Sequence, residues 1–303
     1  MLEFSHMEDF SFPKYLASKR AVDDRALNFN VWNRLAEHLV EMENGSQVRV
    51  LELGAGTGAM FQRMAEWGAL STAHYTMVDQ QEENIQAGIG AIEEWAARQG
   101  HTARREGPQL YLSSAANQFT LEFAQADAGD FAERSGRGVW DLVVAHAFLD
   151  LVDVPKLLAR VIPAVRSGGL FYFTINFDGL TLFEPEIAGD AEILAAYHRS
   201  MEERGSGDSL TGRRLFGWLR EAGLRLVEAG ASDWVVFPRR TGYSHDEKHF
   251  LQDILYFFKS SLHDRLDLPA GLLDSWLTTR RMQIDRGELV FIAHQIDFLA
   301  QRD

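Results

Sequence analysis

The stretch Val48-Arg-Val-Leu-Glu-Leu-Gly-Ala-Gly-Thr-Gly58 decides the fold of this chain. The apolar residues around Arg49 predict a short buried strand, and Glu52 stands at its end. Glycines then alternate at Gly54, Gly56 and Gly58, ahead of a helix predicted from Ala59 to Trp67. A strand that turns into a helix through glycines lets a ligand approach the backbone closely, where free N–H groups gather.

The composition indicates one large domain, or one domain with a cap. The 303 residues are 46% hydrophobic, which is enough for a sizeable core, and no apolar run approaches membrane-spanning length. The N-terminus has neither the basic nor the apolar segment of a secretory signal. The absence of cysteine excludes disulfides, thiolate metal sites and a cysteine nucleophile. We therefore expect a cytoplasmic protein that does not associate with membranes.

The charge of the chain argues against a nucleic acid partner. Its formal net charge is −14, from 44 acidic against 30 basic residues, and a long polyanion would be repelled unless a basic patch reversed the field. The densest basic stretches are mere pairs, such as Arg239-Arg240. We expect no binding of nucleic acid.

Strands and helices alternate from Val48 to Ile175, which predicts a parallel sheet with helices on both faces. The further strands in this span are predicted at 74–79, 119–123, 140–145 and 170–175, with residues 101–118 irregular apart from a short strand at 110–112. Ligands of such sheets bind beyond the carboxyl ends of the strands. The residues at or just past these ends are Glu52, Asp79, Asp127 and His146.

The remaining segments predict a helical cap over that edge of the sheet. The cap is assigned to residues 1–47, 176–208 and 238–287, and the core to residues 48–175, 209–237 and 288–303. In the first segment, the spacing of apolar residues predicts a helix from Leu27 to Leu39 that ends at Asn44-Gly45. Residues 178–189 are predicted to be a loop.

A charged cluster precedes the Leu27 helix and includes Lys19, Arg20 and Arg25. One interpretation is a solvated start of the helix. The other is that one of these basic residues contacts a ligand carboxylate.

The glycine turn alone fits two ligands. Gly54, Gly56 and Ala59 satisfy the dinucleotide pattern, in which pyrophosphate lies at the start of the helix. Glu52 would repel pyrophosphate and suits a cationic amine instead. Asp79 suits ribose hydroxyls in either case, and Asp127 suits an exocyclic amine.

Taken together, the Glu52–Gly58 stretch, Asp79, Ala126-Asp127 and the Ser167-Gly168-Gly169 turn resemble the class I S-adenosylmethionine-dependent methyltransferases. The resemblance covers about residues 46 to 237 and the last strand. It implies an α/β fold of the Rossmann-like kind, with a doubly wound, seven-stranded, mostly parallel sheet, an antiparallel last strand and helical cap insertions. It also implies S-adenosylmethionine as the cofactor.

The resemblance further assigns roles to individual residues. The glycine turn and Glu52 would hold the methionine part, Asp79 the ribose hydroxyls and Asp127 the adenine amino group, with Gln80 flanking the ring. The backbone at Ala145-His146 would meet the amino acid end. The implied cofactor-binding residues are Glu52, Gly54, Ala55, Gly56, Gly58, Asp79, Gln80, Asp127, Ala128 and Ala145.

The sequence favours a small-molecule methyl acceptor. Without cysteine there is no thiolate to activate cytosine C5, and Ala145-His-Ala-Phe148 departs from the Asn/Asp-Pro-Pro-Tyr of enzymes that methylate amino groups of nucleic acids. His146 is the candidate general base, although a histidine there can instead hold a loop by hydrogen bonding. The candidate substrate-binding residues are Asn176, Asp178, Tyr197, His198 and Tyr243, with Trp234 as a further pocket residue.

Two other features carry weaker expectations. His245 and His249 are four residues apart, but Asp246 replaces the glutamate of the zinc-protease pattern, so no metal site is predicted. The apolar stripe Phe250, Ile254, Phe257, Phe258 is expected to be the core of the cap, with a homodimer face or an apolar substrate wall as the alternatives. The alternatives to a methyltransferase are a cofactor-binding sensor without turnover and a nicotinamide-dependent oxidoreductase.

Overall fold

The computed structural model describes residues 10–43, 47–203, 205 and 207–303, and one mixed sheet organises them. The strands found in these ranges are β1 (Val48–Leu53), β2 (Thr72–Asp79), β3 (Thr102–Glu106), β4 (Gln109–Ser113), β5 (Gln118–Gln125), β6 (Trp140–His146), β7 (Val165–Glu184), β8 (Leu224–Ala231), β9 (Trp234–Val236) and β10 (Val290–Arg302). They lie in the order β3-β4-β5-β2-β1-β6-β7-β10-β8, and β9 pairs with β10.

The strand directions confirm the predicted fold class. Strands β5, β2, β1, β6 and β7 run parallel to one another. The last strand, β10, is antiparallel to both β7 and β8. The sheet is therefore mostly parallel with an antiparallel last strand, as the resemblance implies.

Helices cover both faces of the sheet. They are α1 (Phe12–Ala26), α2 (Phe29–Glu43), α3 (Ala59–Glu66), α4 (Glu82–Arg98), α5 (Ala128–Ser135), α6 (Val154–Val161), α7 (Asp190–Glu203), α8 (Thr211–Glu221), α9 (His245–Leu262) and α10 (Leu272–Arg286). Side chains of α5, α6 and α8 pack in one hydrophobic core, and those of the other helices pack in a second.

Strand β6 shows how the sheet separates these two cores. Leu142 and Val144 belong to one core, while Val143 and Ala145 belong to the other. Successive side chains of a strand point to opposite faces, so a continuous apolar run is buried on both sides. The strand β1 between β2 and β6 is built in the same way, and only Arg49 among its residues is exposed.

The sheet contains more strands than the seven predicted. Within the described residues, β4 contains the short strand predicted at 110–112, whereas β3 and β9 are not among the strands predicted above. Strands β3 and β4 form an antiparallel hairpin at the edge, beside β5. Every residue of β3 is exposed, so this edge strand lacks the buried apolar positions that mark a strand in sequence.

Two further expectations need correction. Residues 178–189 are not all loop, because β7 continues to Glu184 and pairs Thr181 with Ala293 and Phe183 with Phe291. The glycine and the acids of this segment led to the prediction of a loop, although its buried and exposed residues alternate as in a strand. Lys19 also does not lie at a helix start, since α1 begins at Phe12. The predicted helix end at Asn44-Gly45 lies outside the described residues.

Replacement of Gly54 by alanine should destabilise the fold. Gly54 has φ +64°, and an added Cβ would overlap the Phe148 ring. The left-handed backbone and the overlap together should lower the free energy of unfolding by about 3 kcal/mol. Gly100→Ala is the matched control, since Gly100 has φ +74° and open space around it; it should lose about 1 kcal/mol. Urea unfolding measures both, and equal losses would contradict the overlap.

Candidate active site

A cavity of about 990 Å³ opens at the carboxyl edge of the parallel strands. One side of its wall comes from the residues that end or follow β1, β2, β5 and β6. Helices α1, α7 and α9 form the other side. The cavity therefore lies where a doubly wound sheet binds its ligands.

The glycine turn after β1 forms the centre of the wall. Gly54 and Gly56 have φ values of +64° and +54°, and both line the cavity. The Ala55 N–H donates to the carbonyl of Val78 (3.0 Å), and the Gly56 N–H donates to Asp79 Oδ2 (2.9 Å). The turn is thus held in place by the end of β2.

Three polar residues meet at the ends of β2 and β5. Asp79 Oδ1 accepts hydrogen bonds from the Gln81 N–H (2.8 Å) and from Asn84 Nδ2 (3.2 Å). Gln80 Nε2 donates to Asp127 Oδ2 (2.8 Å). Asp127 Oδ1 caps α5 by accepting from the Asp130 N–H (2.9 Å). Two carboxylates and an amide are therefore gathered in one corner of the cavity.

Glu52 is almost fully buried and lines the same cavity. The Tyr75 hydroxyl donates to its Oε2 (2.9 Å). Burial raises the pKa of Glu52 to about 8, although the Tyr75 hydrogen bond and Arg63 oppose the shift. The carboxyl group is neutral near pH 7 in the ligand-free chain, and a cationic amine beside it would favour the ionised form.

A buried cluster of charges joins α1 to the sheet. Lys19 Nζ lies 2.5 Å from Asp23 Oδ2, and Trp234 Nε1 donates to Asp23 Oδ1 (2.9 Å). Arg63 of α3, which is fully buried, lies 3.6 Å from Asp23. Burial opposes ionisation of Asp23, but Lys19, His146 and Arg63 outweigh it and lower the pKa of this carboxyl.

The sequence analysis missed Asp23 and Arg63. Lys19 and Asp23 are four residues apart, a spacing that places them on one face of α1. This spacing was the feature of the sequence that could have indicated their ion pair. Among the three basic residues considered for a ligand carboxylate, Lys19 lines the cavity. Arg20 instead contacts Glu66, and Arg25 contacts Glu247.

His146 uses both ring nitrogens within the protein. Nδ1 lies 2.8 Å from Thr174 Oγ1, and Nε2 lies 2.9 Å from Asp23 Oδ2. Burial lowers the pKa of His146 to about 4, against the opposing effect of Asp23, so the ring is neutral. Arg63 Nη1 also lies 3.3 Å from Nε2, but the Asp23 carboxylate is closer and only accepts, so we assign the proton to Nε2, with Nδ1 accepting from the Thr174 hydroxyl.

Most of the predicted cofactor residues line the cavity together. They are Glu52, Gly54, Ala55, Gly56, Asp79, Gln80, Asp127 and Ala128. Gly58 and Ala145 are not part of the wall. Gly58 packs against Ile92 and Met77 at the start of α3, and the Ala145 side chain belongs to the core on the α5, α6 and α8 face.

The predicted substrate residues are brought together less well. Tyr197 lines the cavity, whereas Asn176, Asp178, His198 and Tyr243 do not. Ile175 and Phe177 of β7 are in the wall, so strand alternation turns Asn176 and Asp178 to the opposite face.

The four residues outside the wall have structural partners. Asn176 Nδ2 donates to the Ile296 carbonyl (2.8 Å), and Asp178 accepts from the backbone and the side chain of Arg213. His198 Nε2 lies 3.2 Å from Thr181 Oγ1. The Tyr243 hydroxyl donates to the Leu289 carbonyl (2.5 Å).

The described residues contain neither a membrane-spanning helix nor a cluster of metal ligands. None of the described helices has both the length and the apolar character needed to cross a bilayer. Within the same ranges, the histidine and acidic side chains form no group of three or more with metal-binding geometry.

The strand order and the acids around the glycine turn are those expected of class I methyltransferases, the class that uses S-adenosylmethionine as its methyl donor. A family model described as a methyltransferase domain matches residues 23–229. That range is more than half of the chain, and the protein belongs to this family. No curated protein matches the chain significantly.

Solved structures of similar shape include three methyltransferases or candidate methyltransferases. A candidate methyltransferase from Bacillus halodurans C-125 has 14% identity and a TM-score of 0.48, covering 88% of this chain and 98% of its own. Geranyl diphosphate C-methyltransferase from Streptomyces coelicolor A3(2) has 11% identity and a TM-score of 0.43, covering 88% and 79%. A candidate sarcosine dimethylglycine methyltransferase from Galdieria sulphuraria has 14% identity and a TM-score of 0.43, covering 89% and 86%.

Replacement of Glu52 by glutamine should flatten the pH dependence of stability. The carboxyl ionises at about pH 8 when folded and near pH 4.5 when unfolded. Between these values the unfolded chain binds fewer protons, so rising pH destabilises the wild type. Between pH 5 and 8.5, the Tm of Glu52→Gln should fall less than that of the wild type, by on the order of 5 °C.

Thermal unfolding without cofactor, followed by circular dichroism, measures this difference. Glu94→Gln is the matched control, because it removes an exposed glutamate of α4. It should keep the wild-type pH dependence. Parallel Tm curves for Glu52→Gln and wild type would show that Glu52 ionises normally in the folded chain.

Proposed function

We propose that this methyltransferase acts on a small-molecule acceptor, which binds beside the cofactor in the same cavity. The observation that carries the proposal is the continuity of the cavity. It extends from the glycine turn to a chamber under α7 and α9, here called the acceptor chamber. This chamber is lined by Phe177, Tyr197, Phe257, Phe258, Phe291 and Gln295. Ligand pockets usually measure about 300–1,000 Å³, and a cavity of about 990 Å³ is large enough to take two ligands.

The cofactor half of the cavity has a donor set that fits S-adenosylmethionine. Asp79, which accepts a hydrogen bond from the Gly56 N–H of the glycine turn, would also accept hydrogen bonds from the ribose hydroxyls. Asp127 and Gln80 would hold the adenine ring. Glu52 would meet the methionine ammonium beside the exposed backbone of Gly54 and Gly56.

We assign Lys19 and Asp23 to the same amino acid end. The two side chains form a buried ion pair in the cavity wall. A zwitterion offers one charge to each of them, so Lys19 would face the carboxylate and Asp23 the ammonium. Buried charges need such partners, because an unpaired charge in a dry site is costly.

Methyl transfer requires the protein mainly to place the acceptor in line with the methyl group. When bound, S-adenosylmethionine would supply an electrophilic methyl group: an acceptor electron pair forms the new bond in line as the carbon–sulfur bond breaks, S-adenosylhomocysteine leaves as the neutral thioether, and the proton of an O–H or N–H acceptor passes to solvent. The chain's part is to hold the acceptor at the methyl group and to exclude water. Helices α1, α7 and α9 supply the covering walls. The net charge of −14 supports an acceptor other than a polyanion, and a cytoplasmic location remains part of the proposal.

Replacement of Asp79 by alanine should weaken binding of S-adenosylmethionine. The variant loses the ribose contacts and the hydrogen bond that holds Gly56, and the Kd should rise on the order of 10- to 100-fold. Isothermal titration calorimetry with S-adenosylmethionine and S-adenosylhomocysteine measures the change. Asp141→Ala is the control, since Asp141 also accepts from a backbone N–H, that of Arg49 (2.8 Å), at the other end of the strands. Unchanged affinity in Asp79→Ala would refute the ribose assignment.

Release of S-adenosylhomocysteine tests the transfer itself. The wild type is mixed with S-adenosylmethionine and with matched phenols, amines and carbon acids, and the product is followed by mass spectrometry. We expect turnover of at least one small acceptor. Tight cofactor binding without turnover of any acceptor would instead favour a cofactor-binding sensor.

His146 is best supported as a positioning residue that holds Asp23. The sequence-based prediction of a general base needs a free nitrogen lone pair, and here Nδ1 accepts from Thr174 while Nε2 donates to Asp23. His146→Ala should therefore raise the Kd for S-adenosylmethionine about tenfold and leave the pH profile of kcat unchanged.

Thr174→Val is the companion variant for His146. It removes the Nδ1 partner, keeps the imidazole and should weaken cofactor binding less. A general base would give the opposite pattern in His146→Ala, with kcat strongly reduced at unchanged Kd.

A further inference from the structure

We infer that Gln295 selects the methyl acceptor, and that the acceptor is a flat, neutral aromatic molecule with a hydroxyl or N–H donor. This inference rests on the proposed function, because it names the substrate class of the same cavity. It follows from the walls of the acceptor chamber and from one unpaired buried oxygen.

The walls of the chamber are aromatic. Tyr197 of α7 stacks on Phe258 of α9 with ring centroids 4.0 Å apart and an interplanar angle of 16°. Phe177 of β7 and Phe291 of β10 line the sheet side, and Phe257 lines the helix side. Aromatic side chains offer large flat faces and edges, against which another ring packs in an offset or edge-to-face arrangement. The shape and chemistry of these walls favour a flat ring system.

The chamber is also uncharged. Among the described residues that β7, β9, β10, α7 and α9 contribute to the cavity wall, none is Asp, Glu, Lys, Arg or His. The charged wall residues come from α1 and from the carboxyl ends of β1, β2, β5 and β6 with the segments that follow them. An ionised acceptor would lose its hydration here without gaining a counter-charge. The chamber therefore favours a neutral acceptor.

Gln295 supplies a polar contact in this apolar surface. Its side chain lines the cavity, and the residue is 1% exposed. Its Oε1 atom accepts no hydrogen bond within the described residues. A buried acceptor without a partner costs about 1–3 kcal/mol, so a ligand that donates to Oε1 removes this cost.

Other glutamine and asparagine residues show why Gln295 stands out. Gln301, on the same strand, donates through Nε2 to the Gly168 carbonyl (2.9 Å). Asn176 Oδ1 is also buried and unpaired, but Asn176 lies outside the cavity wall. Asn84 Oδ1 is unpaired within the wall, but it lies beside Asp79 in the cofactor half. Gln295 is the one of these that faces the acceptor chamber.

The neighbours of Gln295 in the sheet are apolar. Gln295 pairs with Phe177 across β10 and β7, and Phe177 and Ala293 line the same cavity. The oxygen therefore lies among apolar side chains, where a hydrogen bond is stronger than in water. A site of this kind discriminates well against an analogue that lacks the donor.

The test uses two probes of similar size, 2-naphthol and 2-methylnaphthalene. Each is titrated into protein saturated with S-adenosylhomocysteine, so that no transfer occurs. The wild type should bind 2-naphthol about tenfold more tightly. Gln295→Leu should bind both probes about equally, through weaker binding of 2-naphthol, with unchanged affinity for S-adenosylhomocysteine. Gln301→Leu, outside the cavity, should keep the wild-type preference.

Three outcomes would overturn the inference. In the first, Gln295→Leu keeps the full preference for 2-naphthol. In the second, the wild type binds S-adenosylhomocysteine but neither probe. In the third, the wild type binds a trimethylammonium naphthalene more tightly than 2-naphthol, which would indicate that the aromatic walls of the chamber bind a cation. Failure of the proposed function is separable from all three, because it appears as absent cofactor binding or as no release of S-adenosylhomocysteine from any acceptor.

Discussion

The position of α1 in the cavity wall depends on the buried carboxylate of Asp23. This carboxylate accepts from Trp234 of β9, contacts His146 at the end of β6 and pairs with Lys19 on its own helix. One carboxylate thereby fixes α1 to two strands of the sheet. Removal of one partner from such a buried network typically costs about 3–5 kcal/mol, because the remaining charges stay desolvated. The N-terminal helix is therefore part of the active-site wall.

The cavity that results has two electrostatic halves, and the division follows the elements that build them. The strand ends and α1 contribute Lys19, Asp23, Glu52 and the acids that follow β2 and β5. The later strands and helices contribute uncharged, largely aromatic side chains. Under the proposed function, a charged nucleoside donor and an apolar acceptor would each meet suitable surroundings in one cavity. Burial raises the pKa of Glu52, beside the glycine turn, to about 8.

Local spacing was enough to predict which residues gather around the glycine turn. Glu52, Gly54, Gly56, Asp79 and Asp127 lie at strand ends or in the first turn after a strand, and parallel strands bring such positions to one edge. The acceptor half could not be found in this way. Asn176 and Asp178 follow the fifth predicted strand, but β7 continues past them and strand alternation directs them away from the cavity. Gln295 lies inside the last strand, where no pattern in the neighbouring sequence indicates that its side chain lines a cavity.

The order of the amino acids alone determined the parallel core of the sheet and the glycine turn, because each depends on residues close together in the chain, and the resemblance carried by its motifs implied the cofactor. Tertiary structure alone decided which distant side chains meet. Asp23 and Trp234 are 211 positions apart, and Asp23 and His146 are 123 apart. Their contacts arise only when α1 packs over the folded sheet. The acceptor chamber has the same origin, since its walls come from helices and strands that meet only after the core has formed.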